Sequence, residues 1–227
     1  MTFRHKTELF IFAVIIVLCN LHLFTNTFPE NTALIPGKLF AGEWWRIFTH
    51  YFAHLSWYHL LIDASAFLTL FFSIEKKTRY LYLAACAVGS LVTPLIFSEI
   101  IYTNGLCGLS GIAHGLMVVA ALEMTKTKQT KIIGFVAFSI VILKTTIELI
   151  FSPAALSFLH VGDVGIPIAE CHLGGIIGGL TIFMVISWSK ALKLRIKSKN
   201  DIILTKQPIK KLQCSNFYNC VLKTLYF

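Results

Sequence analysis

The sequence predicts an all-α, polytopic membrane protein built as a six-transmembrane-helix bundle. Three observations carry that class. The 227-residue chain is 56% hydrophobic and only 14% charged, whereas a soluble domain carries about 25% charged residues, and its mean hydropathy is +0.73. Six apolar stretches approach the roughly 20 residues that a helix needs to cross a bilayer. Lys and Arg gather in alternate connections between them.

The first stretch, 8–27, has the apolar character of a secretory signal. It lacks a small-residue cleavage site and runs long, so it is expected to remain as a span. The second and fourth, 58–74 and 109–124, are short, and their polar ends are expected near the surface. The third, fifth and sixth lie at 80–102, 131–151 and 168–188.

The formal charge of +9 is a matter of topology. Arg4 and Lys6 precede the first stretch, "EKKTR" joins the second to the third, "TKTKQTK" joins the fourth to the fifth, and "KALKLRIKSK" starts at Lys190. The connections 28–57, 103–108 and 152–167 are poor in Lys and Arg apart from Lys38 and Arg46. Six spans with both termini cytoplasmic satisfy the positive-inside rule at every turn. No basic stripe on a soluble fold argues for nucleic acid. The chain is expected to divide into a six-span domain, 1–189, and a basic cytoplasmic tail, 190–227. The tail carries Cys214 and Cys220 and is drawn to anionic membrane lipid.

Ionisable groups inside spans are costly and point to function. His59 and Asp63 lie four residues apart and share a face of the second span. Ser110 and His114 open the fourth span, and His172 opens the sixth. Lys144 and Glu148, also four apart, read as a self-neutralising ion pair with the lysine snorkelling. By the topology above, His59, Ser110 and His172 all sit near the outer ends of their helices, at one depth.

Small residues say which faces meet. Gly111 and Gly115 form a G-x-x-x-G, as do Gly174 with Gly178 and Gly175 with Gly179, the pattern that lets helix backbones touch in lipid. His172, Gly175 and Gly179 fall on one stripe. If that stripe packs on Gly111 and Gly115, His172 comes within hydrogen-bond reach of Ser110. A serine beside a histidine is the nucleophile–base arrangement of acyl transfer. Its oxyanion needs donors, and the Ser110 backbone N–H and His59 are the candidates.

These residues resemble the rhomboid intramembrane serine proteases. "GEWWRIFTHYFAHLSWYHLLID", 42–63, looks like the family's first loop and second helix. "GLSG", 108–111, looks like its nucleophile motif, and "HLGGIIGG", 172–179, like its His-x-x-Gly-x-x-x-Gly. The likeness covers roughly 40–188. It implies Ser110 as nucleophile, His172 as general base, and His59 and Asp63 as oxyanion donors. Gly108, Gly111, Gly175 and Gly179 would support the site, and His114 would stack on the catalytic histidine. Trp45 and Arg46 would lie in a loop embedded in the outer leaflet, with His50 and His54 as its structural histidines. No metal or other cofactor is expected. The implied partner is a transmembrane protein substrate, and the implied location is a bacterial inner membrane. The "GLCGLSG" context, 105–111, also looks like the rhombosortases, a branch that trims C-terminal Gly-Gly anchors from exported proteins.

Two departures bear on function. The family usually has Asn where this chain has Asp63, and often Tyr where it has His114. A buried Asp could act as a neutral acid that donates into the oxyanion hole, or as a carboxylate that orients His59. The main alternative is an inactive rhomboid-like protein that binds membrane clients; Asp63 is the argument for it. A metal-dependent hydrolase using His50, His54 and His59 lacks the Glu of H-E-x-x-H, because residue 51 is Tyr. Cys107 and Cys171 flank Ser110 and His172, and a disulfide between them would pin the fourth and sixth spans together.

Overall fold

The computed structural model describes residues 3–151, 156 and 161–205, with side chains described from 6 to 197. In chain order the helices are α1 (Phe3–Cys19), α2 (Pro36–Phe40), α3 (Arg46–Thr49), α4 (Trp57–Ser73), α5 (Arg79–Phe97), α6 (Ile100–Asn104), α7 (Ser110–Met124), α8 (Lys131–Phe151) and α9 (Ala169–Thr205). Single 3-10 turns follow α1 at Leu21–Phe24 and α3 at His50–Phe52. The described residues contain no strand beyond an isolated antiparallel bridge between Leu34 and Leu106. They fall into two compact units divided after Phe183. The all-α class holds.

Helices α5, α8 and α9 (over Ala169–Lys197) are long and apolar enough to cross a membrane. The segment Arg46–Phe52 with α4, bent by 97°, makes a fourth if the pair is one broken span. Helix α7 is a shorter apolar helix of 15 residues. Lipid explains the outer faces: Ile132, Phe135, Val136, Ile140 and Leu143 of α8 all lie exposed, an apolar surface that water would not tolerate on a monomer.

Three boundaries differ from expectation, and two have a visible cause or continuation. Helix α1 stops at Cys19 because Asn20 turns inward. Its amide donates to Ile16 O at 2.7 Å and Phe52 O at 2.6 Å, and its Oδ1 accepts the His54 N–H at 2.9 Å. A side chain that takes over backbone partners competes with the helix. The third stretch breaks at Ser98, which is extended, before the short α6. Helix α9 carries the basic run of the expected tail as far as Thr205. Residues 206–227, with Cys214 and Cys220, lie outside the described residues.

Glycine decides how α9 packs. A Cβ on Gly175 would lie 1.9 Å from Gly111 O, and one on Gly179 would lie 2.7 Å from Gly115 O. The other glycine pair faces the opposite neighbour: a Cβ on Gly174 would lie 2.0 Å from Gly89 O, and one on Gly178 would lie 2.1 Å from Ala85 O. The backbone of α9 is therefore pressed against α7 on one side and α5 on the other. Below the site, Val118, Val141 and Ile176 form a buried cluster joining α7, α8 and α9.

The first loop is held by Arg46, which is 1% exposed. Its guanidinium donates to Glu30 O and Ala33 O at 2.6 Å each, and its Nε donates to Glu43 Oε2 at 2.8 Å. A fork of fixed donors suits three acceptors that a lysine could not serve together. Trp45 remains half exposed, with its indole N–H directed at Asn31 O, while Trp44, Phe40 and Phe48 are exposed on the same loop.

Candidate active site

The serine is placed by a short strained loop. Gly105 has φ +69°, and the bridge to Leu34 fixes Leu106. Gly108 has φ +105°, and its N–H donates to His50 O at 2.9 Å. A Cβ on Gly108 would fall 2.8 Å from Asp63 Oδ2 and 2.9 Å from His59 Nε2. Backbone conformation and close approach both demand glycine there. Ser110 follows as the first residue of α7. Its N–H has no partner within the helix and lies at the positive end of the helix dipole.

His172 stands one turn into α9, 4% exposed. Its Nε2 is 3.1 Å from Ser110 Oγ. The pairing of Gly175 with Gly111 brings the two together, as the stripe of α9 predicts. On its other nitrogen, Nδ1 is 2.8 Å from Glu148 Oε2. A carboxylate only accepts, so the network assigns the proton to Nδ1 and leaves the Nε2 lone pair toward the serine hydroxyl. The His114 ring stacks on His172 with centroids 4.0 Å apart and planes 13° apart. His114 Nδ1 donates to Ser110 O at 2.7 Å.

The contact with Glu148 corrects the reading of α8. Lys144 and Glu148 do form an ion pair, at 2.6 Å. It is not self-contained, because Glu148 reaches His172 and Lys144 Nζ lies 3.2 Å from His114 Nε2. A signal for this was present. Glu148 lies three residues from the outer end of the fifth stretch, at the depth already assigned to Ser110 and His172.

His59 and Asp63 share a face of α4, as their spacing requires. Ser56 caps that helix, its Oγ accepting the His59 N–H at 3.0 Å and donating to Asp163 O. His59 Nδ1 accepts the Leu55 N–H at 3.4 Å, and Nε2 lies 3.3 Å from Asp63 Oδ2. The same Oδ2 accepts the Leu109 N–H at 2.8 Å and lies 3.7 Å from His54 Nε2. Each of these contacts uses Asp63 as an acceptor or places it beside an imidazole.

His50 Nδ1 donates to Arg46 O at 2.7 Å, and His54 Nδ1 faces Asn20 Oδ1 and Phe52 O. Both rings are thus engaged by the first loop and its neighbours. No three His, Cys, Asp or Glu side chains among the described residues converge as a metal site.

Ser110, His172, His59, His114, Lys144 and Glu148 all open onto one cavity of about 610 Å³, lined in part by residues 164–168. Cys107 and Cys171 also line it, and both are free thiols in this structure, the alternative to a bridge between them. The sulfur of Cys171 is committed elsewhere, against α7, where a Cβ on Gly111 would lie 2.4 Å from it. Burial, and then the charge of Asp63, push the Cys107 thiol up to about 12. A thiol so raised stays protonated at neutral pH and is a weak nucleophile.

Residues 41–189, well over half of the 227, match the family model of the Rhomboid domain. No curated protein matches the chain.

Proposed function

The chain belongs to the rhomboid family of intramembrane proteases, and on that premise we propose that it is a serine endopeptidase that cleaves single-span membrane proteins near the outer membrane face. The observation that carries this reading is the 3.1 Å contact between Ser110 Oγ and His172 Nε2 inside a shared cavity. His172 Nε2 takes the hydroxyl proton as Oγ bonds to the scissile carbonyl carbon. The resulting oxyanion is met by the Ser110 N–H, with the His59 ring, held by Asp63, beside it. The same Nε2–H then protonates the leaving amine, the C–N bond breaks, and an acyl-serine remains. Water, deprotonated by His172, attacks that ester and regenerates Ser110.

The six helices α1, α4, α5, α7, α8 and α9 are the six spans of this enzyme, with both termini cytoplasmic in a bacterial inner membrane. The loop 105–111 supports the narrower reading of a rhombosortase, whose substrate is an exported protein with a C-terminal Gly-Gly anchor. A fluorophosphonate probe tests the core of the proposal. It should form one adduct, on Ser110, in the protein reconstituted in liposomes. Absence of an adduct in folded protein would overturn it.

Asp63 acts here as an acceptor that orients His59, not as an acid. Asp63→Asn should keep the fold, because the amide oxygen can still take the Leu109 N–H. It should keep cleavage within about tenfold, or roughly 1.4 kcal/mol. Asp63→Ala leaves the Leu109 N–H and His59 without their acceptor and should lose about a hundredfold. Cleavage measured against pH in one lipid checks the assignment. Wild type and Asp63→Asn should share one alkaline profile; an alkaline decline that Asp63→Asn abolishes would restore the acid role.

A further inference from the structure

The rhomboid mechanism, as the resemblance implies it, needs a serine and a histidine. This chain holds more than that. We propose that Glu148 is a positioning residue for catalysis, fixing the tautomer and orientation of His172, and that Lys144 is the counter-ion that holds Glu148 in place. The inference rests on the serine-protease reading and deepens it.

Burial comes first. Glu148 is 2% exposed, and a buried carboxylate is tolerated only when its oxygens are paired. Both are: Oε1 takes Lys144 Nζ at 2.6 Å, and Oε2 takes His172 Nδ1 at 2.8 Å. A role in steadying α8 alone would not account for this. With the lysine N-terminal to the glutamate, the i,i+4 pair runs in the less favourable order for a helix. One of the two oxygens also leaves α8 altogether, for α9.

The contacts close a ring across three helices. Ser110 Oγ meets His172 Nε2; His172 Nδ1 meets Glu148; Glu148 meets Lys144; Lys144 meets His114 Nε2 at 3.2 Å; and His114 Nδ1 returns to Ser110 O at 2.7 Å. With His172 neutral, Glu148 ionised and Lys144 an ammonium, one proton arrangement satisfies every member. The Ser110 carbonyl accepts from His114 Nδ1–H, so His114 Nε2 is a lone pair, which the ammonium of Lys144 fills. Lys144 also donates to Glu148, and Glu148 accepts from His172. An ammonium is the group that can donate both to a carboxylate and to an imidazole lone pair. Without Glu148, nothing in this ring would hold His172 with its proton on Nδ1. The other tautomer directs N–H, not a lone pair, at Ser110. When His172 becomes an imidazolium during the reaction, Glu148 also faces the new positive charge, from a buried position.

Glu148→Gln separates positioning by charge from packing. The amide keeps the size of the side chain, so helix packing is retained, but its single oxygen is claimed by the Lys144 ammonium and its NH2 then faces His172 Nδ1, which favours the other tautomer. The kcat for a transmembrane substrate should fall about a hundredfold or more with KM and thermal unfolding unchanged, and fluorophosphonate labelling of Ser110 should slow in proportion. Glu148→Asp, which keeps the charge on a shorter arm, should recover part of that loss. A low-field proton resonance from His172 Nδ1–H, present in wild type and in Ser110→Ala, should be absent from Glu148→Gln. Wild-type rates in Glu148→Gln, with Ser110→Ala inactive in the same assay, would overturn the role of Glu148 and leave the serine-protease reading standing. A loss in Glu148→Gln that tracks only the fraction of unfolded protein, with no recovery in Glu148→Asp, would reduce Glu148 to a structural residue. Cleavage that survives Ser110→Ala would instead remove the reading beneath the inference.

Discussion

Ser110→Ala and His172→Ala should each abolish cleavage of a reconstituted transmembrane substrate, by on the order of 10⁴- to 10⁶-fold, while the protein still inserts and folds. The size follows from how the two atoms act. Oγ without a base is a weak nucleophile, and the Nε2 lone pair without Oγ has nothing to activate. The double variant should be no worse than either single one, because nucleophile and base work as one unit. Folding should be spared, since Ser110→Ala removes one hydroxyl from a cavity wall and no packing atom. The His172→Ala variant leaves Glu148 paired with Lys144 and so does not strand a bare buried charge. Initial rates in liposomes, alongside thermal unfolding, decide the matter. Cleavage by Ser110→Ala above a few per cent of wild type would contradict the assigned nucleophile.

Gly175→Ala should be among the most destabilising single methyl additions available in this protein. Its new Cβ would sit 1.9 Å from Gly111 O and 2.7 Å from Gly111 C. These are backbone atoms of a facing helix, so no side chain can swing aside. The helices α7 and α9 must separate by more than an ångström. Overpacking a core costs about 1–3 kcal/mol; with rigid backbone on both sides, a loss of about 3 kcal/mol or more is expected, read as a lower unfolding temperature in detergent. Activity should fall as well, by more than tenfold, because the same separation stretches the 3.1 Å contact between Ser110 and His172 one turn above. Gly37→Ala supplies the control: a Cβ there meets nothing within 4 Å, and it should change neither reading. Equal stability of the two variants would mean that the glycine seam does not set the approach of α7 and α9.

Much of the site is legible without coordinates because membrane sequences are severe about polar atoms. Lipid tolerates few of them, so a Ser, two His and an Asp at the heads of apolar stretches stand out. Topology from loop charge then assigns them one depth. The glycine periods add which face of α9 is bare of side chains. Together these put His172 over Ser110 before any contact is known. The same economy misled at Lys144 and Glu148. A lysine and a glutamate four apart satisfy each other on paper, and a pair that looks complete invites no search for further partners.

Sequence alone determined the helical class, the approach of Ser110 and His172, and the glycine stripe that joins their helices, because each is written in a period or a composition local to one segment. Tertiary structure alone decided the remainder. It set the rotation of α8 that turns Glu148 toward His172. It gave the second glycine pair of α9 to α5 rather than to lipid. It ended α1 at Cys19, through Asn20 contacts with Phe52 and His54 more than thirty residues away. It also turned Asp63 to accept from Leu109. The physical reason is common to all four. A helical repeat fixes which residues share a face of their own helix, but not which neighbour that face will meet. That choice belongs to the packing of whole helices, where backbone approach at glycine and the pairing of every buried polar atom are satisfied at once.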